Sequence, residues 1–297
     1  MPLQVPGQAQ QSVMDGVIDY AGLFPPAALS MSAALDEYAA ASRGADAHML
    51  GRFVLTASQL PAFADAVAAR TDLPSPLPLS VIVRDQSGDD REAVTRHDAS
   101  PLAARAPIAS IEARPASPEG IAWLAQAFGD GRDLYIELDL LADLEPFLDA
   151  MARHGLRAKM RTGGLTPDAF PSPDALLHAI DALLARRIPF KATAGLHHAV
   201  RGSYPLTYAP ESAQAMMYGY LNVLLATAAL RAGRPHAEAR ALLLHDAPVF
   251  VGASGISAGA SHLETGLLAT TRRDHFTSFG SCSFREPAGE FHRHTAR

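Results

Sequence analysis

The sequence predicts a single-domain (β/α)8 TIM barrel spanning residues 1–297, and two observations lead there, with a third pointing to a site within it. Short apolar runs alternate with longer helical patterns, the signature of a parallel sheet joined by helical crossovers. Eight such runs can be counted, the number a closed barrel needs. Nearly every run also carries a charge toward one end, where a barrel built only for stability would carry Val, Ile or Leu. A doubly wound open sheet is the alternative, because periodicity does not report closure.

The elements follow in order. The first strand is expected over residues 16–21 and runs into Tyr20-Ala21-Gly22-Leu23-Phe24-Pro25-Pro26, which reads as a rigid apolar lip. A helix over 30–43 opens with Ser30 as a cap and ends before Gly44. Strand two (49–55) leads to a helix over 57–70, and strand three (77–84) to a fainter helical crossover around 91–105. Strand four (108–114) precedes a helix over 118–128, with Ser117 one residue before a proline at the first helical position. Strand five (134–140) and a helix over 141–154 come next, then strand six (156–161). Ser172 and Pro173 repeat the capping pattern at the helix over 173–187, and strand seven covers 188–193. A long excursion at about 199–275 then intervenes. It contains helices expected over 211–231 and 235–245, and a Gly/Ser-rich stretch, 251–261, that reads as a loop over a site or an insertion. The last strand is expected over 276–284.

Composition narrows the function classes. A 31.4 kDa chain with 48% hydrophobic residues can bury a full core. A net charge of −6 and a pI near 6.0 argue against nucleic acid and anionic membrane as partners. No apolar run has transmembrane length. Residues 1–16 are Pro/Gln-rich and lack the basic start and apolar stretch of a signal peptide. Cys282 is the sole cysteine, which excludes an internal disulfide and fits a reducing cytoplasm. No CxxC, HExxH, P-loop or GxGxxG is present. Homo-oligomerisation is left open.

Lysine use is the sharpest chemical signal. The chain has only two lysines, Lys159 and Lys191, against 23 arginines. Each closes a strand and is followed by a Thr/Gly-rich turn. Arginine keeps its proton in proteins, whereas a lysine amine can become neutral and nucleophilic. A GC-rich composition that removed lysine elsewhere by chance is the bland alternative. Strand parity turns Lys159 and Arg161 inward together, and likewise Lys191 and Thr193. Asp19, Arg52, Arg84, Glu112, Glu137 and Asp139 interrupt the other strands. Structural salt bridges, such as Glu112 with Arg84 or Glu137 with Lys159, would explain some of them. Buried ion pairs are poor stabilisers, however, so a whole ring of them points to a polar ligand. Arg52, Arg84 and Arg161 suggest a carboxylate or phosphate, which guanidinium binds in bidentate fashion.

The turns add to this. Thr162-Gly163-Gly164, Gly195 and the run Gly280-Ser281-Cys282-Ser283 let backbone approach a ligand and offer N–H groups to an anion. Ordinary turn chemistry is the alternative. His197 and His198 follow strand seven, and alternation implies that one of them faces the site. No cofactor is expected. The alternative is a divalent metal held by His197 with Glu112, Glu137 or Asp139, in a metal-dependent lyase or hydrolase. Cys282 reads as a small buried filler.

Lys159-Met160-Arg161-Thr162-Gly163-Gly164 and Lys191-Ala192-Thr193-Ala194-Gly195 resemble the two lysine turns of deoxyribose-phosphate aldolase, a class I aldolase on a (β/α)8 barrel. The resemblance covers about forty residues by comparison with that family's turns. It implies that Lys159 forms a Schiff base and that Lys191 tunes it. Arg161 departs from the family, which has a small residue there, and Arg84-Asp85 stands where the aldolase has an aspartate among apolar residues. The phrases Ala21 to Ala27 and Phe279 to Pro287 resemble bacterial proteins of unassigned function. The expectation is therefore a lyase of the aldolase type acting on a small anionic carbonyl compound. Lys159, Lys191, Glu137 and Glu112 would be catalytic. Arg52, Arg84, Arg161, Thr162, Gly163, Gly164, Thr193, Gly195, His197 and Ser281 would bind substrate. A barrel that binds a small anion without catalysis is the rival from another class.

Overall fold

The computed structural model describes residues 13–129 and 131–294, so most of the segment expected to lack a signal peptide lies outside the described residues. Eight parallel strands close into a barrel that follows chain order from the first to the seventh, with the last strand of the chain set between the seventh and the first. They are β1 (Ile18–Tyr20), β2 (Leu50–Thr56), β3 (Leu79–Val83), β4 (Ile108–Ala113), β5 (Asp133–Leu138), β6 (Arg157–Arg161), β7 (Phe190–Thr193) and β13 (Phe276–Ser281). The open sheet is thereby excluded, and each strand falls inside or within one residue of its expected span.

Alternation along the strands sorts the side chains. On β3, Leu79, Val81 and Val83 are buried toward the helices, while Ser80 turns inward and donates to Glu112. On β4, Ile111 packs outward, and Ser110 and Glu112 point into the barrel. The interior is thus polar where a purely structural barrel would be branched and apolar.

The expected caps are largely realised. Ser30 accepts from the Ala33 N–H at 3.3 Å at the start of the helix Met31–Ser42, and Ser172 accepts from the Ala175 N–H at 3.2 Å before Pro173–Ala185. Ser117 occupies the N-cap of Pro118–Phe128 without a capping bond to the helix backbone, its side chain bonding that of Glu119 instead. The faint crossover is a helix at Gly88–Asp98, capped by Ser87, followed by a 3-10 turn at Pro101–Ala104.

Two expectations in the excursion are corrected. The helix expected over 211–231 covers only Tyr220–Arg231, and its first part forms β9 (Gln214–Met217) in a hairpin with β8 (Gly202–Pro205). Gly219 separates the two. A Cβ there would lie 2.4 Å from the Ala199 carbonyl, so the chain passes too close for any other residue. The Gly/Ser-rich stretch is not a loop. It builds a three-stranded antiparallel sheet of β10 (Val249–Gly252), β11 (Gly255–Ala258) and β12 (Ser261–Glu264). Gly255 (φ 154°) and Gly259 (φ 59°) supply its turns. Helices Thr265–Asp274 and Arg285–His294 flank the last barrel strand. No helix among the described residues is long and apolar enough to cross a membrane.

Candidate active site

A cavity of about 610 Å³ opens at the C-terminal ends of the barrel strands, within the size range of small-molecule sites. Its floor is a lattice of alternating charges. Lys159 Nζ lies 2.9 Å from Glu112 Oε2 and 2.9 Å from Glu137 Oε2. Lys191 Nζ lies 2.6 Å from both Glu112 Oε1 and Asp19 Oδ2. Glu112 therefore bridges the two lysines, each on a separate oxygen. Ser80 donates to Glu112 at 2.6 Å, and Ser278 to Asp19 at 2.8 Å. Strand register explains the convergence. Glu137, Lys159, Lys191 and Ser278 are successive partners across β5, β6, β7 and β13.

Charge is held firmly in this floor. Burial acts to strip Lys159 of its proton, but Glu112 and Glu137 outweigh it and raise its pKa above the ordinary value. Burial likewise opposes the charge of Lys191, and Asp19 and Glu112 overcome it, again raising the pKa. Glu112 resists the upward push of burial because Lys159 and Lys191 hold it far below the usual carboxylate range. Glu137 is also lowered, burial being overcome chiefly by Lys159. The expectation that Lys191 favours a neutral Lys159 is therefore reversed: Glu112 stands between the cations and Glu137 adds a second negative charge.

Two arginines expected at the site are elsewhere. Arg52 sits early on β2 and faces the opposite, N-terminal end of the barrel. Its guanidinium pairs with Asp133 at 2.9 Å, while its backbone N–H donates to Asp19 at 2.9 Å. Arg157 meets the same Asp133 at 2.8 Å, so a chain of ion pairs runs from the cavity through Lys191 and Asp19 to that end. Arg84 follows β3 and is captured by Asp90 at 2.6 Å, with its side chain 68% exposed. Neither lines the cavity. Asp139 likewise turns to Arg114, at 3.5 Å.

The turns after β6 and β7 divide into two kinds. Arg161, Gly164, Thr193 and Gly195 line the cavity. Arg161 is half exposed, its Nε 3.7 Å from Glu137 Oε1. Thr162 and Gly163 instead hold the turns together. The buried Thr162 hydroxyl donates to the Ala194 carbonyl at 2.7 Å. A Cβ on Gly163 would strike the Phe170 ring at 2.4 Å, so its smallness serves packing.

The far wall comes from the turn after β7, the excursion, the end of β13 and the last helix. His197 Nδ1 lies 3.3 Å from Ser281 Oγ, 3.7 Å from Cys282 Sγ and 3.5 Å from Glu286 Oε2. Burial pulls the imidazole pKa down, but Cys282 and Glu286 more than offset this and raise it from 6.5 to about 9. Tyr208 donates to Glu286 at 3.2 Å and lies 3.6 Å from the Cys282 sulfur. His198 pairs with Glu290 at 2.9 Å and stacks on Tyr204 at 3.4 Å. Cys282 is buried, as a filler would be, yet it also lines the cavity. Asp19, Tyr208 and Glu286 were not singled out as site residues from the sequence. Only Asp19, a charge within an apolar run, carried a signal there.

Among the described residues, no three His, Cys, Asp or Glu side chains are grouped to hold a metal ion. Comparison with family models, with curated proteins and with solved structures finds no match for this chain.

Proposed function

We propose that the protein is a lyase of the class I aldolase type, which makes or breaks a C–C bond in a small carbonyl compound through an imine on Lys159. The observation that carries this reading is a buried lysine at a cavity floor, held at 2.9 Å between two carboxylates. Lys159 begins as an ammonium, so a carboxylate must take a proton before the nitrogen can attack. Glu137 suits that role because it borders the rim, whereas Glu112, locked by both lysines, remains an anion.

The step balances without an outside reagent. Nζ bonds to the carbonyl carbon, the oxygen collects two protons from the nitrogen by way of Glu137, and water leaves. The iminium nitrogen keeps one hydrogen and the positive charge. Glu112 and Glu137 then face a cation before and after the step, which limits electrostatic reorganisation. Cleavage sends the C–C electron pair into the iminium to give an enamine. The hydroxyl proton released from the departing fragment passes to Glu137.

An anionic substituent, as Arg161 and the Gly-rich turns beside it suggest, would lie at the rim, away from the carboxylate-paired floor. The test exploits the lysine count. With two lysines in the whole chain, borohydride reduction in the presence of an aldehyde leaves few amines to confuse the readout. A reduced adduct mapped to Lys159, and lost in Lys159→Arg, is the expected result. Adducts confined to Lys191 or the terminal amine would overturn the assignment.

A further inference from the structure

The two sides of the cavity differ in kind. Charged and titratable residues come from β4 to β7, the turn after β7 and the last helix, while the β1–β3 side is formed by Phe24, Pro25 and Pro26 after β1, with Val54 on β2 and Ile82 on β3. Each cation lining the charged side already faces a carboxylate. Lys159 and Lys191 are paired at 2.9 and 2.6 Å, Arg161 lies 3.7 Å from Glu137, and His197 lies 3.5 Å from Glu286. A phosphate drawn to the floor would have to displace those carboxylates or sit against them. An apolar group on the β1–β3 side loses only water and gains contact with carbon surface.

We infer that the substrate is an amphipathic carbonyl compound, uncharged around the carbonyl and carrying an aliphatic or aromatic body that packs on Phe24, Pro26, Val54 and Ile82. This rests on the imine reading for the position of the carbonyl, but not for the apolar body. Polyhydroxylated sugar phosphates are disfavoured, because their hydroxyls would lose hydrogen bonds to water against a wall that offers none.

Matched aldehydes test it. 3-Phenylpropanal and glyceraldehyde 3-phosphate are compared by borohydride trapping at equal concentration, and 3-phenylpropan-1-ol, which forms no imine, is titrated by calorimetry. The phenyl aldehyde should label Lys159 at least about ten-fold faster, a discrimination of the size apolar pockets give. The alcohol should bind the wild type and bind about ten-fold more weakly to Ile82→Asp, with Ile82→Val close to wild type. Should Ile82→Asp fail to fold, Phe24→Ser on the surface loop provides the same comparison. Binding of the alcohol without any adduct on Lys159 would leave this inference standing and remove the imine. Adducts from both aldehydes at similar rates, with no binding of the alcohol, would remove this inference and leave the imine. Faster labelling by the phosphate would overturn it outright.

Discussion

Lys159 and Lys191 stand side by side on adjacent strands, yet their surroundings differ. Lys191 is 1% exposed, contacts two carboxylates at 2.6 Å and lies 5.3 Å from the Tyr135 ring. Lys159 is 6% exposed, its contacts are 2.9 Å, and one of its partners, Glu137, borders the rim beside Arg161. The inner cluster lies deeper in the cavity floor and is tied through Asp19 and Arg52 to the other end of the barrel. The outer one faces the cavity. The same residue type at the same register thus sits in two settings, one lysine deep among buried acids and the other nearer the cavity rim.

Removing the inner cation should have the largest effect. Lys191→Met leaves Asp19 without its 2.6 Å partner and strips Glu112 of one of its two lysines. A loss of about 3–5 kcal/mol in denaturant unfolding is expected, the scale of a broken buried pair. Lys159→Met should cost less, about 1–3 kcal/mol, because Glu112 keeps Lys191 and Glu137 keeps Arg161 nearby. Equal costs for the two variants would dissolve the distinction between the clusters.

The chemical side of the comparison reverses the ranking. Lys159→Arg preserves charge, so its stability should stay within roughly 1–2 kcal/mol of wild type while imine trapping disappears. Lys191→Arg should retain measurable trapping on Lys159 wherever the variant folds. Trapping that survives in Lys159→Arg and vanishes in Lys191→Arg would exchange the roles of the two lysines.

This division was only partly legible in the sequence. The barrel strands were, because parallel strands covered by helices read as near-continuous apolar runs. Lys159, Glu112 and Glu137 stood out as charges within such runs. Which end of a strand a charge occupies was harder to see. Arg52 is the third residue of the seven-residue strand Leu50–Thr56, and so faces the end opposite the cavity. Arg84 lies just beyond β3, where Asp90, six residues on, was a local partner in plain view. The excursion resisted for another reason. Its strands are only four residues long, and Ala215-Met216-Met217 continues smoothly into the apolar helix pattern that follows Gly219. Glu286 reaches His197 from the last helix, and Tyr208 reaches Glu286 and Cys282 from the excursion, a tertiary path that no local spacing encodes.

Exposure predicts a smaller effect at the periphery. Arg84→Ala removes a pair whose arginine side chain is 68% exposed and screened by solvent, so the denaturant midpoint should shift less than in either lysine→Met variant. It should also leave aldehyde labelling of Lys159 unchanged, since Arg84 does not line the cavity. A several-fold fall in labelling would bring Arg84 back into the site and blur the boundary between ion pairs that touch the cavity and those that do not.

The far wall gives the gentlest test, through pH. His197 binds its proton more tightly in the folded protein, its pKa rising from 6.5 to about 9 as Cys282 and Glu286 outweigh the opposing pull of burial. The resulting stabilisation is present in full below pH 6.5, declines as pH rises toward 9 and is absent above it. The lysine floor is silent in that window, because Lys159 and Lys191 are shifted upward from 10.5, and Glu112 and Glu137 downward from 4.5. His275 and His294 are shifted below 6.5, so their contributions are lost on acidification and stay level on the alkaline side. Stability should therefore fall by about 1 kcal/mol between pH 6.5 and 9, the partial exposure of Glu286 weakening the pair by solvent screening. Glu286→Gln should flatten that slope without altering the ranking of Lys159 and Lys191 variants. An unchanged slope in Glu286→Gln would assign the raised proton affinity to Cys282 alone, and Cys282→Ser would then be the variant that flattens it.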